Sequence, residues 1–229
     1  MTGSAEFGFT QKSFGFLSEL EDNNEKAWFD NNRPVFEVKL KAPFEALLAD
    51  LTERLRGADL PLKGSAKTMF RMNRDVRFSK DKRPYKTSVS GLLTPDGTKK
   101  SKGPLLYIEL SADGGFTGTG LHKLSPSELK PIRERMAEDP QVFDGVKGAL
   151  ASAGRSLETS DQLTAMPRDF EDLADHRHAD AIRLKSLLVS EELPKSAWQS
   201  GDVADQIEKL ARDAMPLLRF CRDAITKSA

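Results

Sequence analysis

The chain has 229 residues, 38% hydrophobic and 31% charged, and its 35 basic and 35 acidic side chains leave no net charge. That is ordinary for a soluble globular protein long enough to bury a core, and it excludes a disordered chain. No stretch approaches the ~18 consecutive apolar residues of a membrane span, so no membrane partner is expected. Zero net charge argues against general duplex DNA binding. The start, "MTGSAEFGFT", lacks a basic segment followed by an apolar one, so no secretory leader is read and a cytoplasmic location is expected. The single cysteine, Cys221, lies in the helical pattern "PLLRFCRDAI" and reads as a buried free thiol.

In chain order, residues 10–57 read as helical. Phe14, Leu17 and Leu20, then Trp28, Phe29 and Phe36, then Phe44, Leu47, Leu48, Leu51 and Leu55 recur at spacings of three and four. Pro34 suits the first turn of a new helix, and Pro43 a further start or a kink, which predicts two or three helical pieces. Strands are expected over 68–121. From Thr68 the period changes to two, with Phe70, Met72, Val76 and Phe78 on one face and Arg71, Asn73, Asp75 and Arg77 on the other. "KTSVSGLLT", "PLLYIELS" and "GFTGTGL" complete the set, joined by Asp-Gly and Gly-Gly reversals.

Helices return over 125–226. Ser125 suits an N-cap, Pro126 the first helical position and Glu128 the partner in a capping box. "PQVFDGVKGALASAG" continues as a second helix, "SLETSDQ" to "PKSAW" reads as loops and short helices, and a long amphipathic helix from about Asp202 to Ile225 is bent or restarted near Pro216. The expected architecture over 1–229 is therefore a single α+β domain. A four-stranded, mainly antiparallel meander is flanked by N-terminal and C-terminal helices.

Charge is concentrated at "RMNRDVRFSKDKRPYK", residues 71–86. Arg71 to Lys102 carries ten basic and three acidic side chains. Paired guanidinium groups on one strand face clamp phosphate or carboxylate well. The candidate ligand-binding residues are Arg71, Arg74, Asp75, Arg77, Lys80, Lys82, Tyr85 and Lys86, with Tyr85 as a stacking surface. The competing reading makes the same charges an internal network in which Arg74 pairs with Asp75, and Lys80 or Lys82 with Asp81. A third makes the protein an enzyme on a phosphate-containing substrate, with Asp75 or His122 as base.

The segment "FRMNRDVRFSKDKRPYKTS", with "FLSELEDNNEKAWFDNNRPVFE", "YIELSADGGF", "LKPIRERM" and "MPRDFEDLADHRHADAIRLKSLLV", resembles the domain-of-unknown-function 2461 family of bacterial and fungal proteins over nearly the whole chain. The family pattern has an aromatic, often Trp, before the proline-bearing helix start, where this chain reads "GTGLHKLSPSEL". An aromatic lining a ligand site there would make this chain's ligand different. The resemblance implies no activity and no catalytic residues.

Other constellations are weaker. Trp28 and Phe29 among asparagines suit a core pair better than a pocket wall, and His176 and His178 without a third ligand do not make a metal site. Ser79 and Ser88 match no nucleophile motif, and no phosphate-binding glycine loop is present, so no cofactor or metal is expected. The partner expected is an anionic small molecule or a nucleic-acid end.

Overall fold

The computed structural model describes residues 7–227; most of the stretch read above for a leader lies outside them. Helix α1 (Gln11–Asp22) buries Phe14, Phe16, Leu17 and Leu20. Helix α2 (Lys26–Phe36) passes through a π turn (Glu37–Lys41) directly into α3 (Ala42–Arg54). Pro34 therefore lies inside α2 instead of starting a helix, whereas Pro43 does occupy the first turn of α3. Proline has no N–H to offer the carbonyl four residues back. For Pro43 that carbonyl is Lys39, and the buried Ser13 hydroxyl donates to it at 2.7 Å.

The sheet has four antiparallel strands in sequential order, β1 (Val89–Leu93), β2 (Leu105–Ser111), β3 (Gly114–Leu121) and β4 (Leu187–Pro194). This is the α+β meander with N- and C-terminal helices that the sequence predicts, with two of its elements exchanged. Residues 70–78 are not a strand: only Met69 and Asn73 form isolated bridges, to Gly91 and Tyr85. Asp75 takes the backbone N–H of Arg77 at 3.2 Å, so a side chain satisfies a donor that a ladder would need. The fourth strand is instead β4, within the stretch read as loops and short helices. Its Leu187, Val189 and Leu193 alternate inward with Leu188, Ser190 and Glu192 outward.

One face of the sheet is covered. Leu106, Ile108 and Leu110 pack with α1, α3 and α8 (Val203–Asp213) in one hydrophobic cluster, and Leu121, Leu187 and Val189 pack with α4 (Pro126–Glu138), α5 (Pro140–Ser152) and α9 (Met215–Lys227) in another. The capping box is formed, with the Ser125 N–H donating to the Glu128 carboxylate at 2.9 Å. The short α6 (Ala179–Ile182) precedes β4, α7 (Lys195–Ser200) and α8 follow it, and the chain restarts at α9, just before Pro216, as expected. Among the described residues no helix is long and apolar enough to cross a membrane. Cys221 is fully buried, and burial pushes its thiol pKa up to about 12. The native protein is expected to resist a thiol-titrating disulfide reagent, with the thiol reacting fully once urea unfolds the chain. Fast titration of the native protein would contradict this packing.

Candidate ligand-binding site

Residues 71–86 fold back on themselves as a lobe. Its arms meet through Arg74 N–H to Pro84 carbonyl and Lys86 N–H to Met72 carbonyl, both 2.8 Å. Two Asp-x-Arg clamps shape its tip. The Asp75 carboxylate accepts from the Arg77 backbone N–H at 3.2 Å and its guanidinium at 2.6 and 2.9 Å. Asp81 takes the Arg83 N–H at 3.0 Å and its guanidinium at 2.9 Å, and also the Arg74 guanidinium at 2.6 Å. Hydrogen bonds from Arg83 and then Arg74 hold the Asp81 carboxyl far below the usual carboxylate range. The guanidinium groups of Arg74, Arg77 and Arg83 are thus matched to carboxylates of the same lobe, but not in the pairs that the internal-network reading named: Arg74 pairs with Asp81 and not Asp75, and Asp81 is held by arginines and not by Lys80 or Lys82. The sequence signal was the doublet Asp75-Val76-Arg77 and Asp81-Lys82-Arg83.

Tyr85 is buried, stacked on Phe29 with ring centroids 4.2 Å apart. The Asn24 side chain clasps its backbone, accepting its N–H at 2.9 Å and donating to its carbonyl at 3.1 Å. Tyr85 is a core anchor for the lobe and offers no free ring face. The Lys82 ammonium donates to the Val76 carbonyl at 3.0 Å. Lys80 and Arg71 are exposed, and among the described residues neither has an ion-pair partner.

The uncovered face of the sheet is the floor of a cavity of about 690 Å³. Leu92, Tyr107, Gly118 and Ser190 stand in register across its four strands, and Phe116 and Glu192 form the next row. Gly118 hollows the floor: a Cβ there would meet Ser190 only at an ordinary 3.6 Å. Phe70, at the base of the lobe, walls the β1 side through its N–H bond to the Ser90 carbonyl at 2.8 Å. Glu158 and Asp161 wall the β4 side, where the Glu158 N–H donates to the Leu188 carbonyl at 2.8 Å. His122 and Lys123 lie past the end of β3. Lys123 has φ +48, a backbone region costly for a residue with a side chain, and its N–H is held by the Ser186 hydroxyl at 2.9 Å.

Charge is placed at the β1 side of this cavity. The Lys86 and Lys99 ammonium groups lie 4.9 and 5.4 Å from the centroid of the one Phe70 ring. Among the described residues neither has a carboxylate within ion-pair distance. Burial lowers the Lys86 pKa, and repulsion from Lys99 and Arg71 lowers it further, against the attraction of Glu109. On the floor the Tyr107 hydroxyl donates to the Glu109 carboxylate. Burial and that bond raise the Tyr107 pKa, so it stays a neutral hydroxyl.

Of the eight predicted site residues, Lys86 stands on the Phe70 ring, and Arg71, exposed, is near enough to Lys86 to lower its pKa by repulsion. Arg74, Asp75 and Arg77 are engaged in clamps, Lys80 and Lys82 lie at the tip, and Tyr85 is in the core. Sequence reading missed the floor, Phe70, Tyr107 and Phe116, and the rim lysine Lys99. The alternation within "PLLYIELS" is the signal that could have found the floor, since it puts Leu105, Tyr107 and Glu109 on one face; what lies opposite that face is not readable from sequence. Trp28 packs against Phe16 at 5.3 Å, a core contact, and Asn32 donates to the Trp28 carbonyl at 2.9 Å. Buried His178 contacts the Pro140 carbonyl at 2.9 Å, and among the described residues no three His, Cys, Asp or Glu side chains are grouped to hold a metal ion.

No curated protein matches the chain at a significant level. The model of one family, described as conserved hypothetical protein (DUF2461), matches residues 12–220, which takes in the lobe, the whole sheet and all but the last turns of the helices that cover it. With so much of the fold and the entire cavity inside the match, the chain belongs to the DUF2461 family.

Proposed function

We propose that the protein binds a small molecule with an anionic group and an apolar or aromatic body on the open face of its sheet. Arg71, Lys86 and Lys99 take the anionic group, a phosphate or carboxylate, and Phe70, Tyr107 and Phe116 take the body. The observation that carries this reading is the meeting of two ammonium groups on the Phe70 ring at the edge of the cavity, with no carboxylate bonded to either. Like charges gathered with no carboxylate at bonding distance are costly, the more distant Glu109 offsetting only part of it, and a bound anion relieves that cost.

A thermal-shift screen of phosphate, nucleotides, sugar phosphates and aryl carboxylates tests this, because a ligand bound only by the native state raises its apparent stability. One ligand class is expected to stabilise the wild type, with the shift lost in Lys86→Gln and in Gly118→Val, which fills the floor. A shift preserved in both variants would place the ligand elsewhere. The sign of the pH dependence follows from the lowered Lys86 pKa. Between that value and the ordinary lysine value the unfolded chain binds more protons, so without ligand this group makes stability rise with pH across the window. An anion needs Lys86 protonated, so affinity falls over the same window. A ligand shift that grows with pH would contradict the role given to Lys86.

A second reading is an enzyme on a phosphate-containing substrate, favoured by His122 on the cavity wall. Burial and Lys123 lower its pKa, leaving it neutral and able to accept a proton at neutral pH. Turnover of a bound phosphate ester, abolished in His122→Gln with binding retained, separates this reading from binding alone.

A further inference from the structure

We infer that the tip of the 71–86 lobe docks on an anionic lipid surface, with Phe78 as the side chain that enters it. The tip is separate from the cavity, whose cations stand at the base of the lobe. Phe78 is 95% exposed, the most exposed large hydrophobic side chain among the described residues. It is nevertheless held in a shaped turn. The Ser79 N–H closes on the Val76 carbonyl at 3.3 Å, the Lys82 ammonium bonds the same carbonyl at 3.0 Å, and an Asp-x-Arg clamp stands on either side. The backbone that carries the ring is already ordered, so only side-chain freedom is lost when the ring is buried in a partner.

The charges around the ring decide what kind of partner fits. Residues 71–86 carry seven basic and two acidic side chains, a net +5, so the rest of this neutral chain carries −5. Such a dipole turns the lobe toward any anionic surface. Nucleic acid is recognised through forked arginine contacts to phosphate and a groove that follows the backbone. Here the forks of Arg77 and Arg83 are occupied by Asp75 and Asp81, Arg74 also donates to Asp81, and the Arg77 guanidinium lies 5.8 Å from the Phe78 ring centroid. What remains is a diffuse positive field with the point charges of Lys80 and Lys82 beside one apolar ring. That combination suits a lipid surface, where headgroup charge is smeared and a single aromatic side chain partitions below it. That no helix among the described residues is long and apolar enough to cross a membrane does not bear on a contact of this kind.

Co-sedimentation of the full chain with vesicles tests the inference. The probes are phosphatidylcholine alone, phosphatidylcholine with about a third phosphatidylserine, and a labelled oligothymidylate, each at low and physiological salt. Salt-sensitive binding to the phosphatidylserine vesicles alone is expected. Phe78→Ala should weaken it about tenfold or more, and Lys80→Gln and Lys82→Gln about fivefold each. Phe78 and Lys80 make no hydrogen bond that shapes the turn, so circular dichroism and melting of Phe78→Ala and Lys80→Gln should match the wild type, whereas Lys82→Gln also gives up the bond to the Val76 carbonyl. Wild-type-like binding by Phe78→Ala would overturn the inference, as would failure to bind the anionic vesicles at low salt. Preference for the oligonucleotide over the vesicles would also overturn it and assign the lobe to single-stranded nucleic acid.

Discussion

Gly120→Ala is expected to cost at least about 4 kcal/mol, or to leave no folded protein to measure. Gly120 ends the pairing of β3 with β2 and has φ +133, a conformation that residues with a side chain rarely adopt. An added Cβ would lie 2.0 Å from the Leu187 carbonyl oxygen and 3.0 Å from its carbon, and both are backbone of the neighbouring strand β4. No rotamer change relieves a backbone clash, so the strands must part where they pair Gly120 with Leu188. For a domain stable by ~5–15 kcal/mol that is a large share of the total. Gly118→Ala is the control: it stands two residues away on the same strand, its Cβ would meet nothing closer than 3.6 Å, and its expected cost is under about 1 kcal/mol. Urea unfolding of the two variants checks the contrast, and similar midpoints would mean that β3 and β4 are not packed this closely.

Tyr85→Ala should be nearly as severe, about 3–5 kcal/mol, the range for truncating a buried aromatic. The ring is 5% exposed and stacks on Phe29, which in turn packs against Phe16 and Phe36. Tyr85→Phe keeps that stack and should cost less than about 1 kcal/mol. If Tyr85 instead served a ligand by stacking, as the sequence suggested, Tyr85→Ala would lose ligand binding and keep its unfolding midpoint. The two outcomes are opposite, and a denaturant melt alongside the ligand thermal shift distinguishes them.

The candidate site shows where reading the sequence succeeds and where it stops. A surplus of seven basic over two acidic side chains in sixteen residues located the charged lobe correctly, because charge density needs no coordinates. Counting could not say which of those charges were already matched. Arg74 meets Asp81 seven residues away, and that depends on the turn that Asp75 and Asp81 themselves create by capturing backbone N–H groups. Period-two alternation was likewise real at 70–78 but described a self-paired lobe. The same signal in "LLVSEELP" was the true fourth strand, overlooked because its Glu191 breaks the apolar face. That carboxylate is matched by Arg155 at 2.7 Å, a partner 36 positions earlier in the chain.

By itself the sequence determined what local chemistry controls: the amphipathic helices, the Ser125 cap, the restart before Pro216, the antiparallel hairpin of β2 and β3, and the concentration of positive charge. Each depends on neighbours within a few residues, where periodicity and backbone preference act directly. Only the tertiary structure decided which face of the sheet stays uncovered, that Tyr85 is core and Phe78 solvent, and that Lys86 and Lys99 share one ring. Those outcomes depend on burial and Coulomb interactions between segments far apart in the chain. They are properties of distance in space, which the order of residues does not record.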